Sequence, residues 1–301
     1  MINEVFKNKL EDICSNVKFD EPMSKHTTFR IGGNADAYVS VNNEEEIMEV
    51  VKLCKEEGVR FYIIGNGSNL LVKDEGFRGV IIEIGNGFNE IEVIDDETFA
   101  AKSGILLSRI AAFALEHELS GFEALSGIPG TLGGAVVMNA GAYGGEIKDV
   151  VTEVYVLDSD GNRRTISADD MEFGYRTSIV ARENLIVLGA RIKLSKGNKD
   201  EIKALMNDYN GRRRDKQPLE FPSAGSTFKR PEGYFAGKLI EDSKLKGYTV
   251  GGAQVSEKHS GFVINIGNAT CEDVLKLISD VQDKVFNDSG VKLEREVKIL
   301  D

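Results

Sequence analysis

Hydrophobic and polar positions change period along the chain, and each change marks an element. The stretch "ADAYVSV" (35–41) alternates small or apolar with polar residues, the period of a half-buried strand. In "NNEEEIMEVVKLCKEEG" (42–58) the period becomes helical. Ile47, Val50, Val51 and Cys54 share one face, Asn43 stands at the cap, Glu46 at the capping-box position, and Gly58 ends the run. A strand, "VRFYII" (59–64), follows, and then a loop of two glycines, two asparagines and a serine at 65–69. This is a β-α-β unit with a glycine loop at the carboxyl end of its second strand, a common place for ligands in α/β sheets.

A second region begins near "GVIIEI" (79–84). It holds strand-like "FAAKSG" (99–104), a helix in "LLSRIAAFALEHELSG" (106–121) and the densest glycine stretch of the chain, "SGIPGTLGGAVVMNAGAYGG" (126–145). A hairpin, "VTEVYVLDSDGNRRTIS" (151–167), carries an Asp-Gly turn signal, and strand "NLIVLGARIKL" (184–194) closes the region. The segment 196–218 contains a helix and then a basic stretch ending at Pro218, which places a boundary near residue 211. The last region holds "SAGSTFKRP" (223–231), a helix near "FAGKLIEDSKL" (235–245) and strands in "YTVGGAQVS" (248–256) and "GFVINIG" (261–267). Thr270 caps a final helix with a Val274, Leu277, Ile278 and Val281 stripe, and "VKLEREVKIL" (291–300) reads as a last strand. The expected division is therefore 1–78, 79–210 and 211–301.

Composition bounds what this layout can do. The 301 residues are 41% hydrophobic and 29% charged, ordinary for a globular chain of two or three domains. A formal charge of −12 disfavours nonspecific nucleic-acid or anionic-membrane binding. Cys14, Cys54 and Cys271 are scattered, as are His26, His117 and His259, so neither a zinc site nor a disulfide framework is expected. No N-terminal apolar segment or long apolar run is present, and a reduced, cytoplasmic protein is expected.

Several stretches could carry chemistry, each with a plainer alternative. The loop 65–69 fits neither nucleotide fingerprint. Leu70 stands where the third glycine of G-x-G-x-x-G belongs, and no G-K-[ST] ending exists. It is either a turn or a phosphate cradle. The stretch 126–145 suits close approach of backbone to a flat or extended ligand, or tight helix packing on small residues. Arg176, in "FGYRTS" (173–178), has the fork that suits a carboxylate or phosphate, or is a surface arginine. Ser226 follows Ala-Gly in an expected tight turn, where it could donate a proton or satisfy the turn. In "VKLEREVKI" (291–299), Leu293, Arg295 and Val297 fall on one face, and Lys292, Glu294, Glu296 and Lys298 on the other, which reads as solvated. Arg212, Arg213, Arg214 and Lys216 form a cationic run in an acidic chain, either solvated or docking an anion.

Taken together, "HTTFRIGG" (26–33), "IIGNGSNLLV" (63–72), "LSGIPGTLGGAVVMNAGAYGGE" (125–146), "YRTS" (175–178), "AGSTFKRP" (224–231), "GGAQVSEKHSGFVIN" (251–265) and "LEREV" (293–297) resemble the UDP-N-acetylenolpyruvoylglucosamine reductase (MurB) family, flavoenzymes of bacterial peptidoglycan synthesis. The ordered set spans nearly the whole chain. The resemblance implies an α+β and α/β architecture: a vanillyl-alcohol-oxidase (PCMH)-type FAD-binding fold of two α/β subdomains (1–78 and 79–210) with a C-terminal α/β substrate-binding domain (211–301). It implies that NADPH reduces FAD, and that FAD reduces the enolpyruvyl ether of the nucleotide sugar. By the same resemblance Arg176 and Glu296 act on the substrate carboxylate, with a raised pKa expected for Glu296, and Ser226 donates the proton. Lys216, Arg230 and Arg212 would bind the anionic substrate. Gly65, Asn66, Gly67, Ser68 and Asn69 would hold the FAD pyrophosphate, and Ser126, Gly127, Ile128, Gly130, Asn139, Gly141, Ala142 and Gly144 would line the pyrophosphate and ring region. No histidine or cysteine lies in either glycine stretch, so the FAD is expected to be dissociable. No metal and no obligate protein partner is expected. One departure concerns a tyrosine-bearing loop that longer members place between the arginine motif and the substrate domain. Only about one strand and one helix fit there, so the chain resembles the shorter subtype. The competing expectations are an FAD-dependent oxidase on the same fold and a non-catalytic nucleotide-sugar binding protein.

Overall fold

The computed structural model describes residues 2–158 and 160–301. Helix α1 (Glu4–Ile13) opens the chain, capped by Asn3, whose side chain accepts from Phe6 N at 2.8 Å. Strands β1 (Val17–Pro22) and β2 (Asn34–Val41), helix α2 (Glu44–Glu56) and strands β3 (Phe61–Ile64), β4 (Leu70–Val72) and β5 (Phe77–Ile84) follow. Helix α2 starts as its sequence demands. Asn43 Oδ1 accepts from Glu46 N at 2.8 Å, and Ile47, Val50, Val51 and Cys54 are buried. Three glutamates in its first turn face the positive end of the helix dipole.

Next come β6 (Ile91–Val93), β7 (Thr98–Lys102), α3 (Leu107–Glu116), β8 (Leu119–Ser120), α4 (Leu132–Met138), the short pair β9 (Gly141–Ala142) and β10 (Gly145–Glu146), β11 (Val151–Leu157), β12 (Arg163–Ser167), α5 (Ile179–Glu183), β13 (Ile186–Lys193) and β14 (Ser195–Lys196). The chain ends through α6 (Lys199–Lys216), β15 (Ser223–Ser226), α7 (Ala236–Asp242), β16 (Thr249–Val250), β17 (Ala253–Val255), β18 (Phe262–Asn265), α8 (Cys271–Ser289) and β19 (Lys298–Leu300).

Two compact units are built from non-contiguous segments. The first comprises residues up to Lys18, Ala37–Asn66 and Gly79–Arg213, and the second Phe19–Asp36, Gly67–Arg78 and Arg214–Asp301. These units do not coincide with a contiguous division at 78/79 and 210/211, because 19–36 and 67–78 group with the C-terminal segment.

In the first unit, β12, β11, β13, β7 and β6 form an antiparallel sheet in that order, with Val154 opposite Ala190 and Ala190 opposite Ala101. Its core joins Phe99, Val154 and Ile192 to Leu107 and Ile110 of α3 and Leu132 and Val136 of α4. A four-stranded sheet has the order β1-β2-β5-β3, with β5 parallel to β3 and Phe61 opposite Val80. Residues 79–84, assigned above to a second region, are thus part of the sheet that holds β3. Their uninterrupted Val80, Ile81 and Ile82, all buried, suit a strand covered on both faces.

In the second unit, β15, β18, β17 and β16 form an antiparallel sheet, and β19 runs parallel to β4. Val274, Leu277, Ile278, Val281 and Val285 of α8 pack with Phe29, Leu71, Val263, Leu293 and Val297.

Three local expectations are corrected. The basic run is the end of α6 rather than a stretch that follows the helix, since no proline interrupts the helix before Pro218 and cations suit its C-terminus. Within 291–300 only Lys298–Leu300 is strand. Leu293 and Val297 are buried, but Arg295 is exposed and Glu296 half-buried, so the strict two-face alternation fails. Ser226 ends a strand with a bulge between Ser223 and Ser226 rather than sitting in a tight turn, and Gly225 supplies φ +74° there.

Helix α8 carries a complete capping box, with Asp273 N donating to Thr270 Oγ1 at 3.0 Å and Thr270 N to Asp273 Oδ2 at 3.1 Å. Thr270→Ala removes one half. The expected loss is about 1 kcal/mol of stability, read by urea unfolding.

Candidate active site

The glycine-dense stretch divides in the structure. Its middle is α4, where Gly133 packs closely on Ser103, so tight helix packing accounts for that part. Of its flanks, 126–131 holds no helix or strand, and 139–146 carries the short β9–β10 pair. In the first unit the 65–66 end of the first glycine loop meets the nearer flank, where Asn66 Nδ2 donates to Pro129 O at 2.8 Å. A Cβ on Gly65 would run into Thr131 Oγ1, and one on Gly144, at φ +91°, would meet nothing within 4 Å. Two small-residue arms brought together with little side-chain bulk fit an extended dinucleotide.

The farther flank is organised by Asn139. Its side chain is fully buried at φ +42°, donates to Glu146 Oε2 and Gly174 O (3.1 Å each) and accepts from Lys148 N at 3.0 Å. Those bonds occupy the carboxamide, so Asn139 shapes the flank rather than offering donors to a cofactor. Gly141 and Ala142 pair with Glu146 and Gly145 in a miniature hairpin. Gly130 N is engaged by Ile128 O at 2.9 Å, and Ile128 packs against the first core. Ser126 is buried, with Asn210 Nδ2 3.4 Å from its Oγ.

Gly174 and Thr177 exchange backbone bonds at 3.1 and 3.4 Å, leaving Tyr175 and Arg176 at the tip of a tight turn. Arg176 has φ +56°, a conformation that a side chain adopts at some cost. Its guanidinium lies 5.2 Å from the Tyr175 ring centroid, and Nη2 donates to Gly141 O at 3.3 Å. Asn139 therefore ties the arginine turn to the glycine flank. The adjacent Glu146 carboxyl experiences burial, which raises its pKa. Hydrogen bonds from Lys148 and Asn139, with the charges of Lys148 and Arg176, outweigh that and hold it below the usual range.

The second unit collects another set. Gly67 has φ +59°, and a Cβ there would strike the His26 carbonyl. Gly67 O accepts from Thr28 N at 3.3 Å, and Thr28 Oγ1 donates to Ser223 O at 2.6 Å. Ser68 is half-buried. Asn69 Nδ2 donates to Glu296 O at 3.4 Å, and Asn69 O accepts from Lys298 N at 3.0 Å. Glu296 N donates to Thr227 O at 2.8 Å, so the segments of Ser226 and Glu296 lie side by side. Ser226 is exposed, while Thr227 is buried and accepts from Val263 N at 3.0 Å. Arg230 lies over the Phe235 ring, 4.0 Å from its centroid, and its Nε donates to Tyr234 O at 3.3 Å. Lys216 is exposed at the end of α6. Arg212, in the first unit, pairs with Asp208 at 2.6 Å.

Sequence reasoning did not assign Thr131, Glu146, Asn210 or the burial of Arg213. The available signal was helical: Met206, Asn210 and Arg213 recur at a spacing of four and three in α6.

A family model described as "FAD binding domain" matches residues 35–167, and one described as "UDP-N-acetylenolpyruvoylglucosamine reductase, C-terminal domain" matches 217–300. The UDP-N-acetylenolpyruvoylglucosamine reductase of Clostridioides difficile (strain 630) is 56% identical over 284 residues, covering 94% of this chain and 93% of that protein. The chain belongs to the UDP-N-acetylenolpyruvoylglucosamine reductase family. The reductase of Caldanaerobacter subterraneus subsp. tengcongensis is 52% identical over 299 residues, 99% of this chain and 98% of that one. The crystal structure of the Thermus caldophilus reductase aligns with a TM-score of 0.81 at 34% identity, covering 95% of this chain and 98% of that chain. The architecture is accordingly the FAD-binding fold of this reductase family with its C-terminal domain, and the chain is an FAD-dependent oxidoreductase.

Two outcomes follow for this family member. Asn139→Ala leaves the Lys148 amide without its partner and the Gly174 carbonyl with only the 3.4 Å bond from Thr177 N, so the first unit is expected to lose about 1–3 kcal/mol in denaturant unfolding. Because the folded pKa of Glu146 is depressed, its stabilisation is complete above the unfolded glutamate range and is lost as pH falls through the folded value. Glu146→Gln should remove that part of the acid-limb pH dependence, measured by unfolding from neutral pH downward.

Proposed function

We propose that the chain reduces UDP-N-acetylglucosamine enolpyruvate to UDP-N-acetylmuramate in the cytoplasm, with NADPH as reductant, as a step of bacterial peptidoglycan synthesis. The carrying observation is the Glu296 N to Thr227 O hydrogen bond, which sets the serine and glutamate segments side by side within the domain matched as the reductase C-terminus. In this proposal residues 1–78 and 79–210 serve the cofactor and 211–301 the substrate. Among the described residues no helix is long and apolar enough to cross a membrane.

When bound, FAD supplies a hydride equivalent to the vinyl carbon of the substrate. The chain's own residues handle the charge and the proton. As the vinyl carbon becomes saturated, negative charge accumulates on the substrate carboxylate in an enolate-like species, and a fixed guanidinium such as Arg176 lowers that cost. Glu296 assists at the same carboxylate if it is protonated or shares a proton, because two free carboxylates would repel. The exposed Ser226 hydroxyl then delivers the proton to the α carbon, which completes a lactyl ether, and the serine oxygen regains a proton from solvent. Lys216, Arg212 and Arg230 offer cations to the diphosphate. Dissociable FAD is supported by chemistry: burial, the leading cause for each, pushes the Cys14, Cys54 and Cys271 thiols up to about 12, which leaves them protonated and unreactive.

The test is a visible spectrum of purified protein, taken before and after anaerobic NADPH and again after substrate. Bleaching by NADPH and recovery on adding the enolpyruvyl substrate are expected. Recovery by oxygen alone at a turnover-competent rate, with substrate inert, would sink the proposal. Ser226→Ala should keep NADPH-driven bleaching and slow the substrate half-reaction by about 10²–10⁴-fold. Equal loss in both half-reactions would assign the serine to structure.

A further inference from the structure

The last turns of α6 grip the glycine-rich stretch at two places. Arg213 is 9% exposed. Its guanidinium donates to Gly127 O, and the Tyr143 side chain lies near enough to act on its charge. Its Nε is buried without a partner. The Gly127 carbonyl is neutral, so the guanidinium meets a dipole there rather than a carboxylate, and burial works against its charge. One turn earlier, Tyr209 stacks on Tyr143 with centroids 4.9 Å apart and 9° between the planes, and Asn210 reaches Ser126. Positions 209, 210 and 213 share a helix face, so one rigid surface touches both flanks of the stretch.

Gly127 is shaped to this contact. A Cβ there would stand 3.2 Å from Arg213 Nε and 3.4 Å from its Cδ, and would collide with Asn210 Oδ1. Glycine at 127 is what lets a buried guanidinium reach the loop carbonyl. A cation so placed is costly to bury, and the fold itself offers cheaper apolar ways to pack a helix on a loop.

We propose that Arg213 is a positioning residue for the cofactor: holding Gly127 while Tyr209 on the same helix face stacks on Tyr143, it sets the spacing of the two flanks against which FAD binds. The proposal rests on the FAD assignment. It adds that affinity for FAD is controlled from α6, by a side chain that the proton and carboxylate chemistry does not use.

The probe is FAD added to flavin-stripped protein, followed by quenching of flavin fluorescence and by the visible spectrum, with thermal melts of the flavin-free and loaded forms. Arg213→Met keeps the aliphatic length and removes every donor. Its FAD dissociation constant should rise at least about tenfold, the bound-flavin band should shift, and the melt of the flavin-free form should move far less than that of the loaded form. Arg213→Lys should recover part of the affinity, because an ammonium can still meet the Gly127 carbonyl. Gly127→Ala should weaken FAD comparably, and combining it with Arg213→Met should add little further. Wild-type FAD affinity in Arg213→Met overturns the proposal, as does a lowered flavin-free melt with unchanged affinity, or fully additive losses in the double variant. If Arg213→Met does not fold, unchanged affinity in both Arg213→Lys and Gly127→Ala overturns it. Wild-type protein that takes up no FAD would overturn the cofactor assignment, a distinct outcome.

Discussion

One buried carboxamide holds the farther flank of the glycine-rich stretch to the arginine turn. Asn139 stands in a left-handed conformation where α4 ends, and its side chain joins three backbone and side-chain groups from two loops. An unsatisfied buried polar group is costly, so each of those bonds constrains the others. The hairpin at 141–146 cannot shift without disturbing Glu146, and the turn at 174–177 cannot shift without releasing Gly174. Arg176 is aimed by that turn, in a backbone state that needs support from its surroundings. A structural amide thereby helps to set the direction of a guanidinium far away in the sequence, Arg176.

Much of the scaffold was legible because it obeys local rules. The Asn43 cap and the Ile47, Val50, Val51 and Cys54 stripe specify α2, and the Thr270 capping box with its apolar stripe specifies α8. What local rules could not show was pairing. Val80, Ile81 and Ile82 read as a strand, but nothing in their order says that they lie beside β3. The alternation in 291–299 misled because Leu293 and Val297 are buried four residues apart, which leaves Glu296 half-buried and Arg295 exposed. The basic run behaves in another way. The division between the two units falls inside it, between Arg213 and Arg214, yet α6 continues through it to Lys216, which the charges did not show.

The site was legible in its residue types and order, and less so in their division of labour. A cradle built from glycines exposes backbone, and backbone donors leave no signature beyond the glycines themselves. Asn139 sits among such glycines and looks like a ligand donor, yet its carboxamide is consumed internally. Arg213 sits among solvated cations and looks like one of them, yet it is buried against Gly127. In both cases the side chain's type was visible and its direction was not, since direction depends on contacts between segments far apart in the chain.

The same distinction bears on how an acidic chain can handle anionic ligands. With a formal charge of −12 the long-range field does not favour them, so attraction must be local. Arg212 is paired with Asp208 and Lys229 with Glu294, both at exposed positions. Exposed pairs contribute only about 0–1 kcal/mol, so an incoming phosphate can replace the carboxylate at small cost. The Arg176 and Arg230 guanidinium groups also lie against Tyr175 and Phe235, and an aromatic face restricts how a guanidinium is oriented. In the proposed reaction, a cation already aligned in this way would lose less freedom on meeting an anionic ligand, so modest local charge would go further.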